Sequence, residues 1–125
     1  MLDRVYYYTD EKGRSPVEEF IRSLPKDERE KVLSYLRLLK DQGYHLRRPI
    51  ADYVCDDIYE LRPKGNRVFY FFFMRENAVL VHSIKKKTDA IPASDIRLAI
   101  SRKIDFITRY KAGGFEDEKS KTSYF

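Results

Sequence analysis

The sequence lacks tryptophan altogether and has one cysteine and two histidines among its 125 residues. The single Cys55 cannot form a disulfide within the chain, and no Cys/His group has the spacing of metal ligands. No cluster of carboxylates of the kind that holds Mg²⁺ accompanies the basic residues described below. We therefore expect a chain that works without a metal ion and without any other cofactor.

Long apolar runs are missing as well. The longest, residues 68–74, is far too short to cross a bilayer. The N-terminus has no apolar stretch like that of a signal peptide, and no P-loop, dinucleotide-binding fingerprint or hydrolase elbow occurs. By elimination we expect a cytoplasmic protein that does not associate with membranes.

The chain is rich in aromatic side chains and in charge. Ten tyrosines and eight phenylalanines supply much buried area per residue, which suits a thin sheet backed by few helices. Hydrophobic residues make up 42% and charged residues 36%, a balance typical of one globular domain with a modest core. The formal net charge of +5 favours a polyanionic partner only mildly, so the distribution of charge has to decide.

The first half of the chain predicts a strand followed by a helical hairpin. Residues 5–8 are strand formers, and Ser15 is expected to cap a short helix that Pro16 begins. After an interruption at Pro25, a second helix covers residues 26–42 and has one apolar stripe. Val32, Leu36 and Leu39 form that stripe, and Gly43 ends the helix.

The second half predicts a meander and a final helix. Residues 44–57 are interpreted as irregular, and three strands follow over 58–62, 67–74 and 78–86, joined by links of hairpin length. A helix over 92–110 has an apolar stripe formed by Ile96, Ile100, Ile104 and Ile107. The order of elements predicts an α+β domain, residues 1–110, followed by a polar tail, 111–125. We expect a four-stranded antiparallel sheet, made of the N-terminal strand and the meander, packed by the hairpin and the last helix.

Basic residues are concentrated on the predicted meander. Between Arg62 and Thr88 there are seven of them and only one acid, Glu76, an excess larger than that of the whole chain. The seven are Arg62, Lys64, Arg67, Arg75, Lys85, Lys86 and Lys87. Since they fall on a segment expected to fold as one sheet, the pattern predicts a localised anion-binding face.

The two-residue period of a strand assigns faces to these side chains. Arg67 shares a face with Phe69, Phe71 and Phe73, and Tyr70 points the other way. Glu60 and Arg62 point together on the preceding strand. The charges are therefore expected to ring a concave surface whose floor is aromatic.

Each candidate has a purely structural interpretation as well. Arg62 and Arg67 can pair with acids such as Glu60, a lysine triplet is usually a solvated strand end, and Tyr70 is most simply a core residue. His82 is expected on the same side as Leu80 and Ile84, as a core or rim histidine.

Five segments of the chain stand in a familiar order. They are Ser15-Pro16-Val17-Glu18-Glu19-Phe20, Leu24-Pro25, Ile58-Tyr59-Glu60-Leu61-Arg62, Arg67-Val68-Phe69-Tyr70-Phe71 and Lys85-Lys86-Lys87-Thr88, with Leu98-Ala99 after them. Together they resemble the phage-derived, HigB-like branch of the RelE/ParE toxin superfamily. The resemblance extends over residues 5–110.

The resemblance implies the toxin of a type II toxin–antitoxin pair. RelE-like and HigB-like members cut messenger RNA in the ribosome, and a cognate antitoxin, often a helix-turn-helix protein, neutralises them. By position, Arg67 matches the arginine that contacts the scissile phosphate, and Lys85, Lys86 and Lys87 fall among further basic residues of the site. Glu60 stands where the founding pattern has a lysine, and the catalytic tyrosine near the C-terminus has no clear match.

A metal-free ribonuclease makes the ribose 2′-hydroxyl attack its own phosphate, which yields a 2′,3′-cyclic phosphate. We expect Arg62 and Arg67 to stabilise the phosphorane, and one of the three lysines to act as the base. Glu60 and His82 are further candidates for proton transfer, and Tyr70 for stacking or proton donation. Lys64 and Arg75 are expected to bind RNA. The alternatives are a ParE-like toxin that inhibits gyrase without cutting RNA, and a non-catalytic regulator that binds nucleic acid.

Overall fold

A computed structural model describes residues 1–113 and 124–125 of the chain. Its strands and helices, in chain order, are β1 (Arg4–Tyr7), α1 (Pro16–Ser23), α2 (Lys26–Gln42), β2 (Ala51–Cys55), β3 (Ile58–Leu61), β4 (Asn66–Phe73), β5 (Asn77–Lys85) and α3 (Ala93–Lys111). A single 3₁₀ turn, Gly43–His45, follows α2. The α+β class and the three predicted helices are confirmed.

The sheet differs from the prediction in two respects. It has five strands in the order β1-β5-β4-β3-β2, and β1 runs parallel to β5 whereas all other pairs are antiparallel. The prediction of four antiparallel strands was therefore wrong in strand number and in the direction of β1. The meander of β3, β4 and β5 is confirmed.

Strand β2 lies in the segment that was interpreted as irregular. A two-residue turn joins it to β3, and both turn residues, Asp56 and Asp57, have positive φ angles, 48° and 62°. A turn with two left-handed residues matches the right-handed twist of a hairpin, and aspartate tolerates this conformation better than most residues. The Asp-Asp pair was thus a hairpin signal, although the charges and Pro49 around it concealed the strand.

The helical hairpin covers one face of the sheet, which we call the hairpin face. Pro16 occupies the first turn of α1 as predicted, but Ser15 is buried and its hydroxyl forms no capping hydrogen bond. The stripe Val32, Leu36 and Leu39 is fully buried and faces sheet residues such as Leu61 and Tyr70. This face therefore contains the larger apolar core.

Helix α3 covers the opposite face, which we call the α3 face. Ala99 and Phe106 are its buried residues, and they pack with Phe69, Phe71 and Val81 of the sheet. The predicted stripe is wrong at Ile104, whose exposed fraction is 57%. The preceding residue, Lys103, points towards the sheet instead and donates a hydrogen bond to the backbone oxygen of Asp56. The packed side of α3 therefore includes Lys103, which faces the β2–β3 hairpin, and not Ile104.

Only the last two residues of the predicted tail are described besides its start. Tyr124 forms an isolated bridge with Tyr6, and the N–H group of Phe125 donates to the backbone oxygen of Val5 at 2.8 Å. Residues 114–123, the rest of that tail, lie outside the described residues. Within the described chain, no helix combines the length and the apolar character needed to cross a membrane.

Candidate nucleic-acid interface

Glu60, Arg62 and Arg67 form a charged cluster on the α3 face. Glu60 points to this face because its neighbours Tyr59 and Leu61 pack on the other, and it pairs with Phe69 across the ladder. Its Oε2 accepts from Nη1 of Arg62 at 2.9 Å, and its Oε1 lies 3.4 Å from Nε of Arg67. The cluster confirms that Glu60, Arg62 and Arg67 share a face.

The cluster is unevenly exposed. The side chains of Glu60 and Arg67 are 7% and 8% exposed, whereas that of Arg62 is 21% exposed. Nη1 of Arg67 also donates to the backbone oxygen of Asn66 at 2.7 Å, which fixes the guanidinium. Arg62 is therefore the member that a phosphate in solution reaches first.

Burial and neighbouring charge act on Arg67 together. Burial lowers the pKa of its guanidinium, the nearby Arg62 lowers it further, and Glu60 opposes both. A guanidinium starts from so high a pKa that it stays charged at neutral pH. Oε1 of Glu60 accepts no hydrogen bond from the described residues although it is buried, and its nearest cation is Arg67 at 3.4 Å.

A second ion pair adjoins the charged cluster and was missed in the sequence. Nε of Arg48 donates to Oδ2 of Asp52 at 2.8 Å, and Asp52 is the ladder partner of Glu60 on β2. This hydrogen bond is the main reason that the pKa of Asp52 is lowered. The four-residue spacing of opposite charges was the available signal, but it has meaning only once β2 is known to be a strand beside β3.

The lysine segment, which consists of residues 85–87, lies at the same end of the sheet as the charged cluster. Lys85 pairs with Asn66 across the ladder, and the N–H group of Lys86 donates to the backbone oxygen of Gly65 at 3.0 Å. Lys87 is exposed. The topology thus brings the two basic ends of the meander together, as the sequence predicted.

The three lysines nevertheless have different surroundings. Nζ of Lys85 donates to Oε1 of Glu28 on α2 at 2.9 Å, so Lys85 faces the hairpin side and not the charged cluster. Nζ of Lys86 lies 3.8 Å from Oδ1 of Asp89. Of the triplet, Lys86 and Lys87 are therefore the better candidates for contact with a ligand on the α3 face.

Tyr70 is a core residue. Its exposed fraction is 1%, it lies on the hairpin face with Tyr59 and Phe72, and burial raises its pKa well above the ordinary value. The prediction that it stacks on a base or donates a proton was wrong, because strand alternation and burial place it on the covered side of the sheet.

His82 is held by two neighbours and lies on the same face as Ile84, as predicted, but on the face opposite Leu80. Phe69 pairs with His82 but Tyr70 pairs with Leu80, so a bulge at Val81 shifts the alternation. Leu80 consequently lies on the hairpin face, whereas His82 stacks on Phe69 on the α3 face, with ring centres 5.8 Å apart. The ring nitrogen Nε2 is 2.7 Å from Oδ1 of Asp95, and Nδ1 is 3.3 Å from Nη1 of Arg102.

Lys64 and Arg75, the two predicted RNA-binding residues, are both exposed. Lys64 lies in the loop between β3 and β4, next to the charged cluster. Arg75 lies in the loop between β4 and β5, at the opposite end of the sheet. The structure therefore brings Lys64, but not Arg75, to the end of the sheet that contains the charged cluster and the lysine segment, which we call the basic end.

The residues that are described contain no group of three His, Cys, Asp or Glu side chains that could hold a metal ion. The chemistry that the charged cluster itself supplies is electrostatic stabilisation of an anion and acceptance of a proton.

Residues 19–103, about two thirds of the chain, match the family described as "Phage derived protein Gp49-like (DUF891)". The chain belongs to this family. The match spans both helices of the hairpin in large part, the whole meander and the first half of α3, and therefore includes the charged cluster and the lysine segment. A comparison with curated proteins gives no match.

Proposed function

We propose that the chain is the toxin of a type II toxin–antitoxin pair and cleaves messenger RNA without a metal ion. The observation that carries the proposal is the charged cluster, in which Arg62 and Arg67 each contact one oxygen of the Glu60 carboxylate, and the oxygen beside Arg67 accepts no hydrogen bond from the described residues. The phage-derived family and the resemblance to HigB-like toxins support it. The cytoplasm is the expected location.

The charged cluster suits an in-line attack by the ribose 2′-hydroxyl. The carboxylate of Glu60 takes the hydroxyl proton, the new O2′–P bond forms, and the P–O5′ bond breaks. Arg62 and Arg67 stabilise the negative charge of the phosphorane, and an ammonium group of Lys86 or Lys87 protonates the leaving O5′. The products are a 2′,3′-cyclic phosphate and a 5′-hydroxyl end.

The basic end of the sheet also has the features of a regulated surface. A ribosome-bound transcript supplies a polyanion that the exposed Lys64 and Lys87 and the half-buried Lys86 steer towards the charged cluster. We propose that an antitoxin with a helix-turn-helix domain neutralises the toxin by covering this end.

Induced expression with mapping of transcript ends tests the proposal. Wild-type protein should stop translation and leave transcripts with 5′-hydroxyl ends. Arg62→Ala should reduce cleavage by roughly 10- to 1,000-fold, because it removes charge stabilisation at the reacting phosphate. Arg14→Ala is the matched control, since Arg14 also pairs with a glutamate but lies at the exposed start of α1. Growth arrest with intact transcripts would contradict the nuclease.

One observation favours a second function, a toxin that inhibits gyrase or another target by binding alone. The described C-terminal tyrosines lie away from the charged cluster, since Tyr110 packs edge-on against Phe73 at the far end of β4 and Tyr124 lies beside β1. Neither lies where it could act at the charged cluster as the catalytic tyrosine that the resemblance implies. Loss of negative supercoiling in a gyrase assay, with transcripts intact, would select this alternative.

A further inference from the structure

A cavity of about 380 Å³ opens at the β2 edge, beside the hairpin face. This volume lies within the range of small-molecule sites, roughly 300–1,000 Å³. The walls combine aromatic rings with two arginines and one carboxylate, and we call it the aromatic cavity. Tyr44, Leu46, Arg47, Arg48, Ala51, Asp52, Tyr53, Tyr59 and Phe72 line it.

The two most exposed rings of the aromatic cavity are held rigidly. Tyr44, 45% exposed, stacks on Phe72 with ring centres 4.0 Å apart, and its hydroxyl donates to the backbone oxygen of Arg75 at 2.8 Å. Tyr53, 52% exposed, meets Tyr59 edge-on at 5.2 Å, and its hydroxyl accepts from the N–H group of Asp57 at 3.2 Å.

Such anchoring changes what an exposed tyrosine can do. A ring fixed both by a neighbouring ring and by a hydrogen bond at its hydroxyl has little rotamer entropy left to lose on binding. Flat rings presented in this way are stacking platforms for the faces of nucleobases.

The charges at the cavity complement a nucleotide. Arg48 is exposed and donates to Asp52 of the cavity wall, while Arg47 donates to the backbone oxygens of Tyr44 and Leu46. A guanidinium group at the rim offers a partner for a phosphate, and the carboxylate of Asp52 can accept from an exocyclic amino group of a base. An aliphatic peptide would find few matching side chains, since only Leu46 and Ala51 are aliphatic.

The cavity is also close to the charged cluster. Asp52, which lines the cavity on β2, is the ladder partner of Glu60 on β3. The cavity and the charged cluster therefore belong to adjacent strands, and the edge strand β2 lies between the cavity mouth and the cluster. An RNA strand that crosses this edge can place one nucleotide at Arg62 and another in the aromatic cavity.

We propose that the aromatic cavity binds an unpaired nucleotide of the RNA strand, with its base stacked on Tyr53 and Tyr44 and its phosphate at Arg48. This assignment rests on the proposed RNA substrate. It makes the cavity a specificity site that reads a base near the cleaved bond.

The test is binding of a fluorescein-labelled, fully 2′-O-methylated RNA hexamer to the full chain, measured by fluorescence anisotropy. Methylation removes the attacking hydroxyl, so binding is measured without cleavage. Tyr53→Ala should weaken binding roughly 5- to 100-fold, the range for loss of one stacked base. Tyr53→Phe keeps the ring and should retain most of the affinity.

Tyr124→Ala is the matched control. Tyr124 is also 52% exposed, also lies at a sheet edge, and has the guanidinium carbon of Arg4 4.2 Å from its ring centre, but it is at the opposite edge. Its loss should leave binding unchanged. Thermal unfolding of each variant shows that the fold is intact.

Equal binding by wild type and a folded Tyr53→Ala would overturn the assignment, as would an equal loss in Tyr124→Ala. If Tyr53→Ala binds RNA normally but no longer binds its antitoxin, the aromatic cavity is a protein-binding site and not a nucleotide site. The test of the cavity and the test of the nuclease can fail separately. RNA binding that depends on Tyr53, with cellular transcripts intact, supports the cavity and rejects cleavage. Cleaved transcripts together with binding that does not depend on Tyr53 support the nuclease and reject the cavity.

Discussion

The two faces of the sheet are stabilised by different interactions. The hairpin face is apolar, with Val17, Val32 and Leu36 fully buried against the sheet. The α3 face has a smaller apolar core and adds directional polar contacts, among them the charged cluster, the His82–Asp95 contact and the hydrogen bond from Tyr8 to Asp105. The difference indicates that apolar packing dominates on the hairpin face, whereas the candidate catalytic groups lie on the α3 face, where polar side chains have partners.

The largest effect on stability is expected from truncating a buried core side chain on the hairpin face. Leu36→Ala should lower the free energy of unfolding by about 4 kcal/mol, because it removes a fully buried side chain from a packed core. Urea unfolding measures the change. Ile104→Ala on α3, at an exposed position, is the control and should change little. A similar loss for both would show that the hairpin face is not the main source of stability.

The next effect sharpens the contrast by breaking the charged cluster. Glu60→Gln should cost about 3 kcal/mol of stability, because it leaves the buried guanidinium of Arg67 without its counter-charge. Glu19→Gln removes the carboxylate from the exposed Arg14–Glu19 pair and should leave the denaturation midpoint unchanged. A stable Glu60→Gln protein would mean that water, not Glu60, compensates Arg67.

A smaller effect is expected where β1 meets α3. Tyr8→Phe removes the hydroxyl that donates to Asp105 and should cost about 1 kcal/mol of stability. Asp105 keeps its ion pair with Arg109, 2.9 Å away, so its charge is not left unpaired. Burial raises the pKa of Tyr8 to about 12, with the hydrogen bond to Asp105 as the second cause. In a spectroscopic pH titration, ionisation of Tyr8 below pH 10 would contradict this contact.

The smallest effect is a dependence of stability on pH through His82. Burial lowers its pKa below the ordinary 6.5, Asp95 opposes the shift, and Arg102 adds to it. The unfolded chain therefore takes up a proton before the folded protein does, so stability should fall as pH decreases through 6.5 and level off below the folded pKa. His82→Gln should remove this slope from urea midpoints between about pH 5 and pH 8, the range in which histidine titrates; an unchanged slope would assign it to other groups.

Much of the fold was predictable because its signals are local. The apolar stripe of α2, Pro16 at the start of α1 and the turns of the meander depend on residues a few positions apart, and all are confirmed. Strand alternation likewise placed Glu60, Arg62 and Arg67 on one face. Their roles in catalysis stay predictions.

The errors share a different cause. The parallel pairing of β1 with β5 joins segments about seventy residues apart, and nothing in residues 5–8 specifies the partner or its direction. The bulge at Val81 moved His82 to the face opposite Leu80, since one extra residue reverses the alternation beyond it. Ile104 was misplaced because Lys103, which reaches the β2–β3 hairpin, lies nearer the centre of the packed face of α3.

The sequence by itself determined the helices, the meander and the excess of positive charge on it, since periodicity, turn residues and composition act over short distances. Only the tertiary structure decided which of those charges meet. It buried Arg67 against Glu60, turned Lys85 towards Glu28, left Arg75 at the far end, and assembled Tyr44 and Tyr53 into one cavity. These outcomes depend on strand order and register, which are set by packing of the whole domain and not by any one segment.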